Sequence, residues 1–197
     1  MKKSKIILTD VDGVLLDWFT AFKRYMASFD MHANGPEHTE HDQMHVHFGL
    51  NGREEMFEYV ETFNSGHWEF GTLPALDGAV EGMNSLADDG FKFIAITSCS
   101  THPQTVALRK ANLFNVFGDM FEEVHCVDVG ESKRTHLSSH EPTFWLEDKA
   151  SAAEDGLLYN HKPILITQSW NRETAIDSRI KRCHTWGEIV EYIKENW

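Results

Sequence analysis

The chain has 197 residues, 41% of them hydrophobic, which is enough for one core plus a modest insertion. Its formal charge of −13 excludes a long polyanion such as duplex DNA, which needs a dense Lys/Arg surface, but not a small phosphate ester in a cleft where a lysine and a divalent ion invert the local field. Cys99, Cys126 and Cys183 are odd in number and lack a CxxC, which argues against a disulfide framework or zinc knuckle; no apolar run is long enough to span a membrane, and Met1-Lys2-Lys3-Ser4 leads into a strand rather than a signal-peptide core, so a soluble cytoplasmic protein is expected.

The first expected strand, residues 6–9, ends in Asp10-Val11-Asp12-Gly13-Val14. Side chains at i and i+2 of an extended segment point the same way, so Asp10 and Asp12 aim at one spot. Like charges so placed push their pKa values apart, and the pair either holds a cation or divides the work of nucleophile and proton donor. An Asx-rich turn closing the strand is the plain alternative.

Residues 17–73 are rich in Phe, Met, His and acidic side chains, show no strand pattern and are expected to form a helical insertion. His38, His41, His45 and His47 fall here; without cysteine or ordered carboxylate spacing they are expected to be a polar surface rather than a metal site. Leu73-Pro74-Ala75-Leu76-Asp77-Gly78 has the punctuation of a linker back to the sheet.

Beyond it, strands are expected at 91–97, 124–127, 143–146 and 163–167, and helices at 79–88, 104–113, 133–139, 151–158 and 186–196. Strand alternating with helix predicts an α/β fold, a Rossmann-like three-layer core with a parallel sheet. The expected division is a core of residues 1–16 and 74–197 with a small helical cap, residues 17–73, inserted after the first strand. Ligands of such sheets bind outside the carboxyl ends of the strands, which makes Asp10, Asp12, Thr97, Ser98, Glu147 and Asp148 candidates, with Lys133 opening a helix nearby. Taken singly, Lys133 could be a solvated helix residue, Thr97-Ser98 a loop start and Glu147-Asp148 a charged first helical turn.

In this order the set resembles the haloacid dehalogenase (HAD) superfamily: DVDGV first, Thr97-Ser98 after an apolar strand second, Lys133 third and Leu146-Glu147-Asp148 fourth. Within it, DVDGVLLDWF, LPALDGAVEGMNSL, ESKRT, PILITQSWNR and TWGEIVEYI resemble the 5'(3')-deoxyribonucleotidases, the likeness fading between about Arg24 and His67. Cys99 stands where those enzymes tend to have proline, and Glu147-Asp148 replaces two aspartates. The resemblance implies a Mg²⁺-dependent hydrolase of (deoxy)nucleoside monophosphates with Asp10 as nucleophile, Asp12 as general acid and base, and Thr97, Ser98 and Lys133 on the phosphate. Asp10, Asp148 and the Asp12 main-chain carbonyl would hold the ion, with Glu147 auxiliary.

Trp18 aligns with an aromatic that contacts the base in those enzymes, and equally reads as a core residue of the first helix beside Phe19 and Phe22; Phe48 and Trp68 are weaker stacking candidates. Cys99 lacks the arginine six residues on that a thiol phosphatase requires, position 105 being Thr105, and is expected to pack. Implied partners are a small phosphorylated substrate, with no membrane and no duplex nucleic acid; a homodimer is left open. The competing readings are the same chemistry on a sugar phosphate or a nucleic-acid 3'-phosphate end, and a non-catalytic binding module.

Overall fold

The computed structural model describes residues 5–34 and 43–197. Its strands are β1 (Lys5–Thr9), β2 (Phe91–Ser98), β3 (Phe121–Val127), β4 (Phe144–Glu147), β5 (Lys162–Ile166) and β6 (Lys181–Cys183), in one parallel sheet of order β3-β2-β1-β4-β5-β6. The helices are α1 (Trp18–Ala27), α2 (Met44–His47), α3 (Arg53–Gly66), α4 (Ala79–Asp88), α5 (Pro103–Phe117), α6 (Arg134–Ser138), α7 (Ala150–Leu157) and α8 (Trp186–Asn196), with a short 3-10 turn at Trp68–Thr72.

Period-two alternation sorts the strand residues onto two buried faces. Ile7, Phe93, Ala95, Leu146, Ile164 and Ile166 pack with Met83 and Leu86 of α4, Leu113 and Phe117 of α5, and Trp186, Ile189 and Ile193 of α8. Leu8, Ile94, Ile96 and Trp145 face the other way and pack with Leu137 of α6, while Leu165 meets Ala153 of α7. Helices therefore cover both faces, as a buried parallel sheet requires.

α4 and α8 have the expected bounds. α5 runs four residues past the expected end, because Phe114, Asn115, Val116 and Phe117 continue the helix until Gly118, at φ 66°, ends it. β3 begins three residues earlier than expected, and β6 was not expected at all: three residues, two of them charged, with only Cys183 fully buried, carry no apolar alternation. Pairing with Ile164, Leu165 and Ile166 of β5 makes this segment a strand.

Between β1 and α4 the described residues form α1, α2, α3 and the 3-10 turn, and no strand. Phe22, Tyr25, Met26, Phe48, Met56, Val60, Phe63 and Phe70 join the same apolar cluster as the α4 face of the sheet. Asn112 of α5 pins the return to the sheet, its amide donating to the Leu73 carbonyl (3.0 Å) and its oxygen accepting from the Leu73 N–H (3.0 Å).

Candidate active site

β1 lies at the centre of the sheet, Thr9 pairing with Ala95 of β2 on one side and Leu146 of β4 on the other. The chain crosses from β1 to β2 on one side and later reaches β4 on the other, so the topological switch point falls at the carboxyl end of β1. Asp10 lies one residue beyond that pairing, its N–H donating to the Leu146 carbonyl (2.8 Å). Thr97-Ser98 and Glu147-Asp148 follow the paired residues of the neighbouring strands onto the same edge.

Lys133, immediately before α6, is 7% exposed and its ammonium donates to Asp10 Oδ2 (2.7 Å) and Glu147 Oε1 (2.6 Å). The other Asp10 oxygen accepts the Val11 N–H (2.7 Å), so two donors fix the carboxylate. Glu147 Oε2 accepts the N–H groups of Asp148 and Lys149 (2.8 Å each). Both Glu147 oxygens therefore serve to hold Lys133 and the turn into α7. Asp10, Glu147 and Asp148 nonetheless present carboxylate oxygens within 4.8 Å of one another, all three residues buried.

Asp12 has a partner that was not foreseen. Arg109 of α5, wholly buried, donates through Nη2 to Asp12 Oδ2 (2.7 Å), and its guanidinium lies over the Phe70 ring at 4.4 Å. The signal was a polar stripe: Thr105, Arg109 and Asn112, at i, i+4 and i+7, are all buried along one face of α5. Arg109 reaches the site from the α4 side of the sheet and Lys133 from the α6 side, so the cations approach from opposite faces.

The electrostatics are unbalanced. Asp10, Asp12, Glu147 and Asp148 set four carboxylates against the two cations Lys133 and Arg109. Burial outweighs Lys133 and pushes the Asp10 carboxyl up to about 6; burial likewise raises Asp12 to about 6 against the pull of Arg109. Glu147 is raised for the same reason. Burial opposes the charge on Lys133, but its two carboxylate partners hold its pKa above the ordinary lysine value. Two negative charges thus lack a counterion, a deficit that one divalent cation fits, and the donors are the hard oxygens that Mg²⁺ prefers.

Asp10 and Asp12 hold protons more tightly in the fold than in the unfolded chain, so their contribution favours the fold below about pH 4 and is lost as pH rises through about 6. A cation competing with those protons should raise the melting temperature little at pH 5 and clearly at pH 7.5. Thermal melts with and without Mg²⁺ at both pH values check this; an equal or larger gain at pH 5 would contradict it.

The hydroxyl of Thr97 is buried and has no hydrogen-bond partner among the described residues, an unmet donor at the carboxyl end of β2. Ser98 is partly exposed beside it. Trp18 is 7% exposed, stacked on Phe22 (4.4 Å) with Phe63 edge-on (5.8 Å) and its indole N–H donated to Asn64 Oδ1 (2.9 Å), while the Asn64 amide donates to the Cys99 carbonyl (3.0 Å). Of its two readings, the core residue is the one these contacts describe. Phe48 is buried too, while Trp68 is exposed. His45 and His47 belong to α2, whereas His38 and His41 lie outside the described residues. Cys99 is fully buried, and its hydrogen bond to the Cys126 sulfur together with burial pushes its thiol pKa up, which suits packing and not nucleophilic attack.

Solved structures align with nearly the whole chain at low identity. The L-2-haloacid dehalogenase from Xanthobacter autotrophicus, with chloropropionic acid covalently bound, is 9% identical with a TM-score of 0.63, the match covering 99% of this chain and 100% of that one. CbbY from Rhodobacter sphaeroides in complex with phosphate is 16% identical with a TM-score of 0.58, covering 95% and 96%. The D,D-heptose 1.7-bisphosphate phosphatase from B. bronchiseptica, complexed with magnesium and phosphate, is 11% identical with a TM-score of 0.59, covering 98% and 99%. No family model and no curated protein matches the sequence. At such identities the likeness establishes the fold, which these hydrolases share.

Proposed function

We propose, from a fold shared with haloacid dehalogenases and phosphatases, that this chain is a Mg²⁺-dependent phosphomonoesterase acting on (deoxy)nucleoside monophosphates. The observation that carries the reading is the cluster of four carboxylates, buried at Asp10, Glu147 and Asp148 and partly exposed at Asp12, that Lys133 and Arg109 leave two charges short of neutrality. Asp10, Asp148 and the Asp12 main-chain carbonyl would hold the ion, with Glu147 auxiliary. Bound there, a divalent cation offsets phosphate charge so that a dianionic ester can come up to a carboxylate.

Asp10 attacks phosphorus, the bond from phosphorus to the leaving oxygen breaks, and an aspartyl-phosphate forms. Asp12 gives its proton to that leaving oxygen. Water then attacks the same phosphorus while Asp12 takes a proton from it, releasing inorganic phosphate and restoring Asp10. Lys133 holds Asp10 in line and meets charge on the transferring group, and the Thr97 hydroxyl and Ser98 N–H donate to phosphate oxygens.

The dehalogenase alternative is weaker on chemical grounds. A departing halide needs no proton, whereas an alkoxide does, and an acid raised to about 6 two residues from the nucleophile suits the alkoxide. The nucleotide assignment rests on the sequence resemblance around both core segments. Release of inorganic phosphate from a panel of 5'- and 3'-nucleotides, with and without EDTA, is the test, with chloride release from 2-chloropropionate run alongside. Mg²⁺-dependent turnover of nucleotides is expected. No turnover of any nucleotide would overturn the substrate, and chloride release without metal would overturn the reaction class.

A further inference from the structure

The loop after β5 wraps the end of β4. Asn171, 3% exposed, donates its amide to the main-chain carbonyls of Asp148 (2.6 Å) and Ile166 (2.9 Å), and Gln168 donates to the Gly13 carbonyl (2.7 Å). Arg182 of β6 ties the same loop down through the carbonyls of Asn171 (3.1 Å) and Thr174 (2.8 Å). On this anchored loop the Trp170 indole N–H donates to Asp148 Oδ2 (2.9 Å), while its ring meets Phe19 of α1 edge-on (5.3 Å).

We propose that Trp170 is a positioning residue for the metal centre, holding the Asp148 carboxylate at one rotation about its Cβ–Cγ bond; this rests on the proposed metal-dependent reading. Two features favour it. Lysine or arginine in that place would cancel the charge a cation needs, whereas an indole N–H orients a carboxylate without adding charge. Moreover, the carboxylate lies in a slot between Trp170 and Gly13: a Cβ on Gly13 would come within 2.8 Å of Asp148 Cγ and 3.1 Å of the Trp170 ring, and its φ of 76° already favours glycine. Hydrogen-bonding partners of metal ligands typically set affinity by about 10–100-fold.

Calorimetric titration of Mg²⁺ into the metal-stripped full chain tests the inference by a readout other than turnover. Trp170→Phe, which keeps a ring and loses the N–H, should weaken Mg²⁺ binding about tenfold or more, and Trp170→His, which keeps a ring N–H, should fall between it and wild type. A variant-free check uses the indole N–H signals of the six tryptophans in ¹⁵N-labelled wild type, at least one of which should shift along the same isotherm. Affinity of W170F within twofold of wild type, or no indole shift on saturation, overturns the inference while leaving the metal centre standing. Failure of wild type to bind Mg²⁺ overturns the metal reading itself, and this inference with it.

Discussion

Replacing Asp10 by asparagine should lower nucleotide turnover by roughly 10⁴-fold or more, the scale of losing a covalent nucleophile, while leaving the protein folded. Asparagine has the same shape and still offers Oδ1 to the Val11 N–H. It also removes a carboxylate whose ionised form burial disfavours, its carboxyl being pushed up to about 6, which offsets part of the lost pairing with Lys133. Lys133 keeps Glu147 at 2.6 Å as its counterion. Phosphate release in single-turnover assays, paired with a thermal melt, measures both halves of the expectation. Wild-type turnover by D10N would remove Asp10 from the nucleophile's role; an unfolded D10N would show that the Lys133 contact is structural first.

Lys133→Met should fail differently, losing both activity and stability. Lys133 is nearly buried between Asp10 and Glu147, with its ammonium 5.3 Å from the Trp145 ring centroid. Removing one partner of a buried ion pair leaves uncompensated charge and costs about 3–5 kcal/mol. For a chain of this size that is a fall in melting temperature of roughly 6–20 °C. Without the lysine, the Asp10 and Glu147 carboxyls, already raised by burial, gain protons more readily in the fold. Their penalty then grows with pH, so the deficit of K133M against wild type should be larger at pH 8 than at pH 5. The double variant D10N/K133M should recover part of the loss, since it deletes one stranded charge. Equal melting temperatures for K133M and wild type at pH 8 would sink the claim that this lysine holds the acids together.

The two variants separate chemistry from architecture because neighbouring residues carry different burdens. D10N removes the reacting atom from a site whose other contacts persist, whereas K133M removes the charge that lets the acids be buried at all. Glu147 shows the same division. Its oxygens are engaged by Lys133, Asp148 and Lys149, so a carboxylate expected only as an auxiliary ligand also orients the lysine that faces the nucleophile.

Local periodicity made much of the fold readable, since spacing along a strand or helix decides which face a side chain takes whatever the rest of the chain does. The five longer strands, the helices covering them and the placing of Asp10, Glu147 and Asp148 on one edge follow from that spacing and from the rule that parallel sheets bind at their carboxyl edge, whereas Lys133, which opens a helix, is singled out by the family resemblance. β6 escaped because its pairing partner supplies the regularity that its own three residues lack. Trp18 could be read two ways because an aromatic on a helix has the same local pattern whether it meets a base or Phe22 and Phe63.

The sequence by itself determined the five longer strands, their helical layers and the acids along one edge, because each of these is set by residues a few positions apart. Only the tertiary structure decided that Arg109 clamps Asp12 across 97 positions of chain and that Trp170 reaches Asp148 from the next loop but one. Such contacts form between segments whose local patterns are silent about each other, and only the closing of the sheet and its helices brings their charges and donors within a few ångströms.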